Sequence, residues 1–310
     1  MKYIIFTVDT ESDNQWDIDR GQSTENAKFI PKFQEFCESY NIAPTYLIDY
    51  SMSHNNFLVN YLKKKVFNDL CELGMHLHSW DTPPYHEYDK NKLSRPYLIE
   101  YPEEIMYEKI MNLNNYLENI FELKIVSHRA GRWATNNIYF NLLDQFGYLV
   151  DCSITPGIDW TKQLGVKLGG SNYTNYKHIP YMIGNTNLLE IPMSVSNLMQ
   201  FEWDHSLSLK NNIRRFLKTK IGYTVWLRPV LYGQVDIQKL ISQIDEKNYG
   251  YLEFMIHSTE LMPNGSPYIN SNIELINFYE KLKNIFNMLK NQYQSVTLKQ
   301  YRNIYKSQII

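Results

Sequence analysis

The chain begins Met1-Lys2-Tyr3-Ile4-Ile5-Phe6-Thr7-Val8-Asp9-Thr10-Glu11-Ser12-Asp13, an apolar run of strand length that ends abruptly in acids. One lysine and about six apolar residues are too few for a signal-peptide core with a cleavage site, so the run reads as a buried first strand. Similar runs recur at Ala43–Ile48, between Cys71 and Trp80, and at Ile125–His128, Tyr148–Asp151, Leu188–Ile191, Leu252–His257 and Ser295–Leu298. Helix-period segments lie between them. In Glu103–Leu123, Met106, Ile110, Leu113, Leu117 and Ile120 recur at spacings of three and four. Leu275, Phe278, Leu282, Ile285 and Leu289 repeat the pattern, with lysines on the other face. Alternating strands and helices predict a parallel sheet, open or closed. No repeat, low-complexity tract or Pro/Ser-rich linker interrupts the chain, and α/β barrels of 310 residues are common, so one domain is expected over 1–310. The least regular part, residues 157–187, is expected to be a long excursion over the site.

Composition removes several function classes. A formal net charge of −2 gives no electrostatic case for nucleic acid or an anionic membrane. No stretch approaches the roughly 18 apolar residues of a membrane span, so no integral membrane segment is expected. Cys37, Cys71 and Cys152 are odd in number and lack CxxC spacing, which argues against a disulfide framework or a zinc cluster. These features together predict a cytoplasmic protein. The 25 tyrosines suit sugar binding, but Asn, Lys and Ile are abundant too, and general bias explains the tyrosines better. No feature of the sequence assigns an oligomeric state.

The out-of-place polar residues collect at the C-terminal ends of the apolar runs, where α/β folds place catalytic groups. Asp9 and Glu11, two apart on an extended chain, project to one side. Taken alone they could equally be a helix cap or solvated loop acids. His76 and His78 in Gly74-Met75-His76-Leu77-His78-Ser79-Trp80 also share a face. Two imidazoles and a carboxylate, with room for water, have the makeup of a catalytic metal site; the alternative is two hydrogen-bonded histidines. In Ser127-His128-Arg129-Ala130-Gly131-Arg132-Trp133, an arginine leaving a strand can fork onto a carboxylate, and Trp133 offers a flat face for a sugar or for helix packing. In Met255-Ile256-His257-Ser258 a histidine emerging from a buried run suits proton transfer, or is a satisfied core residue. All four segments end strands at the same side, and a barrel would converge them on one mouth.

These segments resemble the polysaccharide deacetylase family, which shares the NodB-homology domain. They look most like a branch found with bacterial cell-surface polysaccharide synthesis genes. Thr7–Glu11 resembles the first motif, Glu72–Pro84 the second and Arg129–Trp133 the third, followed by the strand-end segment Asp151–Gly157 and the last motif, Met255–Tyr268. The resemblance implies a distorted (β/α) barrel of about seven strand–helix units. It implies Asp9 as the general base, Arg129 as the group orienting it, His76 as a metal ligand and His257 as the general acid. Two positions depart from the pattern. Position 10 is threonine where the family has a second aspartate, which moves the carboxylate ligand to Glu11. Position 80 is Trp80 where a second histidine is usual, which leaves His78 as the other imidazole ligand.

The expected activity is metal-assisted removal of an N-acetyl group from a sugar or glycan. The cofactor would be a divalent cation, Zn²⁺ or else Co²⁺, Ni²⁺ or Mn²⁺, and Trp80, Arg132 and Trp133 would contact the substrate. The alternatives are a hydrolase of a non-sugar amide or O-acetyl ester, and a metal-free glycan-binding module. A nucleotide-sugar transferase would need a diphosphate cradle, and no Gly-rich strand–helix loop is present.

Overall fold

A computed structural model of the chain describes residues 1–310 apart from Trp16, Ile18, Arg20, Lys92 and Ile310. Its strands in chain order are β1 (Lys2–Thr10), β2 (Thr45–Ile48), β3 (Glu72–Leu77), β4 (Ser127–Ala130), β5 (Val150–Asp151), β6 (Tyr181–Met182), β7 (Leu189–Glu190), β8 (Val195–Leu198), β9 (Tyr223–Trp226), β10 (Tyr251–His257) and β11 (Tyr293–Ser295). The main sheet runs β10-β1-β2-β3-β4-β5-β7, all parallel, with β6 antiparallel at the far edge. β11 pairs with the first residues of β1 and β2 with its last.

The curled sheet closes without a regular last strand. Met193 N donates to Ile154 O (2.9 Å), Glu253 N to Ser194 Oγ (2.9 Å) and Met255 N to Leu227 O (3.1 Å). Residues 193–194 and Leu227 thus bridge the gap back to β10. This is a distorted (β/α) barrel: the alternation of runs predicts its parallel sheet, and the family resemblance its closure into a barrel.

Strand alternation sorts β1 into two faces. Ile4, Phe6 and Val8 pack outward with Phe33 and Phe286 of the surrounding helices. Ile5 joins an interior cluster with Leu47, Val150, Leu189 and Tyr251. Thr7, Asp9 and Glu11 follow on that interior side, so the inside changes from apolar at the strand starts to charged at the strand ends. Residues buried on both faces explain why these strands read as unbroken apolar runs.

Helices Glu103–Phe121 and Asn272–Leu289 bury the stripes read from the sequence. The expectation of a strand over Ser295–Leu298 needs correction. β11 ends at Ser295, and a helix runs over Leu298–Ile309. Thr297 and Gln300 form a reciprocal cap, with Thr297 N donating to Gln300 Oε1 (3.0 Å) and Gln300 N to Thr297 Oγ1 (3.4 Å), which starts that helix. Leu298 and Tyr301 then join the interior cluster at the strand starts.

The loop after β3 is held from outside. Lys109, fully buried, donates to Ser79 O, Thr82 O and Pro84 O, each at 2.7 Å, and lies 3.3 Å from the Asp89 carboxylate. Lys109→Met keeps the volume but strands three carbonyls and one acid. It should cost about 3–5 kcal/mol in urea unfolding. A loss below about 1 kcal/mol would show that the loop rehydrates without cost.

Candidate active site

Parallel register assembles the site. Asp9 lies opposite His257 across β1 and β10, and His76 opposite Arg129 across β3 and β4. The strand ends open into a cavity of about 440 Å³ lined by Asp9, Glu11, His76, His78, Trp80, Arg132, Trp133 and His257. Eight of the nine residues singled out in the sequence therefore share one wall system. The ninth, Arg129, lies beneath it, wholly buried.

At the mouth, Glu11 Oε2 is 3.0 Å from His78 Nε2 and 3.7 Å from His76 Nε2. Ligands at the ~2.0–2.2 Å of zinc sites stand roughly 3–3.5 Å apart, so these atoms match the edges of a coordination shell. Donor atoms of all three residues lie within 4.8 Å of one another. Glu11 Oε1 is buried without a hydrogen-bond partner among the described residues, a costly arrangement that a bound cation relieves; His78 Nδ1, on the ring edge turned away from Glu11, is also without one. The residues present fit a divalent metal. His76 Nδ1 lies 3.0 Å from Arg129 O and can only donate to it, which turns Nε2 toward Glu11.

Gly131 serves His78 by its lack of a side chain. A Cβ there would meet Leu77 O at 2.5 Å and His78 Nδ1 at 2.7 Å. The left-handed turn that follows is made not by this glycine but by Arg132 and Trp133, with φ of 55° and 62°.

Arg129 Nη1 donates to Asp9 Oδ1 (2.6 Å), Nη2 to Glu253 Oε1, and Nε to Cys152 O (3.1 Å). Burial opposes ionisation of Asp9, but Arg129, with help from His76 and His257, holds its carboxyl below the usual range. Burial pushes Glu253 up, with Arg129 opposing. The one guanidinium thus favours the ionised form of Asp9 in particular.

Across the mouth, His257 Nε2 is 3.8 Å from Asp9 Oδ2 and 3.9 Å from Glu11 Oε1. Its Nδ1 lies 3.2 Å from Glu260 Oε1, which also accepts from Arg228 Nη2 at 2.5 Å. Burial opposes the charge on Glu260, yet Arg228 and His257 keep it below the usual range. Glu260 is the carboxylate that orients His257, a role the sequence reading left unassigned. The signal was present: His257 and Glu260 are three apart, and the short 3₁₀ turn Ser258–Leu261 puts them side by side.

The aromatic walls fall where expected, with additions. Trp80 packs against His78 with the rings tilted by 36° (4.4 Å between ring centroids) and donates to Gln15 Oε1 (3.2 Å). Trp133 meets Trp226 edge to face and carries Arg129 over its ring. Arg132 lines the cavity, but its guanidinium is engaged by Arg95 O, Leu164 O and the Tyr97 ring. It thereby anchors the irregular excursion, whose Trp160 and Gln163 reach the cavity. Trp160, Trp226 and Arg228 were missed in the sequence because they sit in irregular or short elements with no periodic frame.

Two outcomes follow. Burial disfavours charged His76, but Asp9 and Glu11 outweigh it and push its pKa up to about 9; burial and the His76 charge bring His78 down to about 4. Near neutral pH a cation must then displace one proton, from His76, so affinity should climb roughly tenfold per pH unit toward about pH 9 and fall on acidification. Zn²⁺ calorimetry in buffers of different ionisation enthalpy should find one proton released per ion; none or two would contradict the assignment. Gly131→Ala should push His78 aside and weaken Zn²⁺ binding roughly 10–100-fold in chelator competition, with the fold retained.

No protein-family model and no curated protein sequence matches the chain. Solved structures do. A protein of Mycobacterium smegmatis assigned to the polysaccharide deacetylases superposes with a TM-score of 0.59 at 13% identity, over 99% of this chain and 91% of that one. A branching enzyme of Thermococcus kodakaraensis gives 0.56 at 10% identity, over 98% and 71%. A 4-α-glucanotransferase of Thermococcus litoralis gives 0.52 at 11% identity, over 97% of this chain but 38% of that one. Near end-to-end coverage of the first in both directions shows that this chain has the fold of the polysaccharide deacetylases, a distorted (β/α) barrel.

Proposed function

We propose that the protein is a divalent-metal-dependent hydrolase that removes an N-acetyl group from a sugar or glycan precursor. A role in cell-surface polysaccharide synthesis is supported by the sequence resemblance alone. The observation that carries the reading is the convergence of three kinds of group on one mouth. Glu11, His76 and His78 form a metal-binding set, Asp9 is held ionised by Arg129, and His257 is oriented by Glu260.

A cation held by Glu11, His76 and His78, with Zn²⁺ the best match to this donor set, would polarise the acetyl carbonyl and bring the pKa of a coordinated water to about 7. Asp9, ionised and fixed by Arg129, accepts the proton of the attacking water. His257 faces Asp9 and Glu11 through Nε2, so a proton on that atom points into the cavity where an amide nitrogen leaves. Trp80 and Trp133 line the cavity and supply apolar ring surface for the sugar.

A glycosidase reading, prompted by the two glucan-acting neighbours, fits less well. That chemistry places two carboxyls on opposite sides of the scissile bond and keeps one protonated. Here Asp9 and Glu11 lie two residues apart on one strand end, and both are held below the usual carboxylate range.

The test is leaving-group dependence. His257→Ala should lose about 10²–10⁴ in kcat on N-acetyl sugars and far less on an activated acetyl ester, whose leaving group needs no proton. Equal losses on both substrates would assign His257 to the metal or the oxyanion instead.

A further inference from the structure

The helix Leu209–Thr219 is built inside out. Its buried positions are Asn212, Arg215 and Thr219, all polar. Asn212 Nδ2 donates to Asp204 O (2.9 Å), and Arg215 forks onto both oxygens of Asp236 (2.8 and 2.5 Å). On the adjoining face, Leu209, Ile213, Phe216 and Leu217 recur at helical spacing and are 42–64% exposed, Phe216 with one edge contact to Phe201. Ile221 extends this face at 87% exposure. A helix packed by folding alone turns its apolar stripe inward, so this one is arranged for an apolar surface outside the chain.

Charge says which surface. Residues 209–221 hold Lys210, Arg214, Arg215, Lys218 and Lys220 and no acid. With Arg215 neutralised by Asp236, exposed Lys210, Arg214 and Lys218 line one side of the apolar stripe and Lys220 lies over the Phe216 ring, on a chain whose formal net charge is −2. Of the nearby acids, Asp204 is buried and Glu202 is paired with Lys239 at 3.2 Å. A second copy docked face to face about a twofold axis would set cations against cations.

We propose that this face seats the protein on an anionic lipid bilayer. Leu209, Ile213, Phe216 and Leu217 enter the boundary between headgroups and acyl chains, and the four cations meet the headgroups. β9 follows directly and ends at Trp226, which lines the active-site cavity. Five residues of chain from Ile221 to Trp226 span at most about 18 Å. If the deacetylase reading of the cavity holds, its substrate is a glycan held near that bilayer, but the docking itself does not depend on that reading.

Flotation with phosphatidylcholine vesicles, with and without phosphatidylglycerol, tests the docking. The full chain should float with the anionic vesicles only, and high salt should release it. Each cation contributes roughly fivefold to partitioning, so Lys210→Gln/Arg214→Gln/Lys218→Gln should weaken binding roughly 100-fold. Leu209→Gln/Leu217→Gln should abolish it at unchanged Tm. His76→Ala, which removes a proposed metal ligand, should float like the parent, so a failed deacetylase reading leaves the docking result intact. Failure to float, equal binding to neutral vesicles, or self-association relieved by Phe216→Gln would each overturn the proposal.

Discussion

The site depends on one buried cation. Arg129 is wholly enclosed on β4, where an unpaired guanidinium would cost several kcal/mol, and three groups distant in sequence meet it: Asp9 on β1, Glu253 on β10 and the carbonyl of Cys152. The pairing holds Asp9 ionised inside a barrel that would otherwise favour its neutral form. The same residue acts a second time through its backbone. Its carbonyl accepts a hydrogen bond from His76 Nδ1–H and so decides which nitrogen faces Glu11. The proposed base and one imidazole of the metal set are therefore positioned by a single strand residue.

Around that cation the barrel interior is layered by simple alternation. Ile5, Thr7, Asp9 and Glu11 share one side of β1, passing from the apolar cluster, through the hydrogen bond of Thr7 to Glu253 (2.7 Å), to the carboxylates at the mouth. The second arrangement, Arg228–Glu260–His257, repeats the logic on the other wall: a buried arginine keeps a carboxylate charged, and the carboxylate orients a catalytic-type imidazole. In both, low dielectric makes the ion pair strong enough to define geometry.

Much of this was readable one-dimensionally, and the failures have causes. Strands buried on both faces give unbroken apolar runs, and polar residues stand out at their ends, so Asp9, Glu11, His76, His78, Arg129 and His257 could be picked out without coordinates. Glu260 sat in plain view three residues after His257, but only the 3₁₀ turn makes them neighbours. The run at Ser295–Leu298 misled because apolar pattern alone does not register the Thr297–Gln300 cap. Net charge is a sum and does not register clustering. A total of −2 gave no case for an anionic membrane, yet it conceals a segment of five cations and no acid.

What the amino-acid order determined by itself was local: which stretches are strands or helices, and which polar residues stand at strand ends, because periodicity and burial act between near neighbours. Tertiary structure alone decided the partners. That Arg129 serves Asp9 and Glu253 together, that Glu260 holds His257, that Gly131 leaves room for His78, and that the helix Leu209–Thr219 turns its apolar face outward are facts of convergence. Glu260 and His257 meet through the local 3₁₀ turn, and the others join residues distant along the chain that only closure of the barrel and packing of the helices against it bring together.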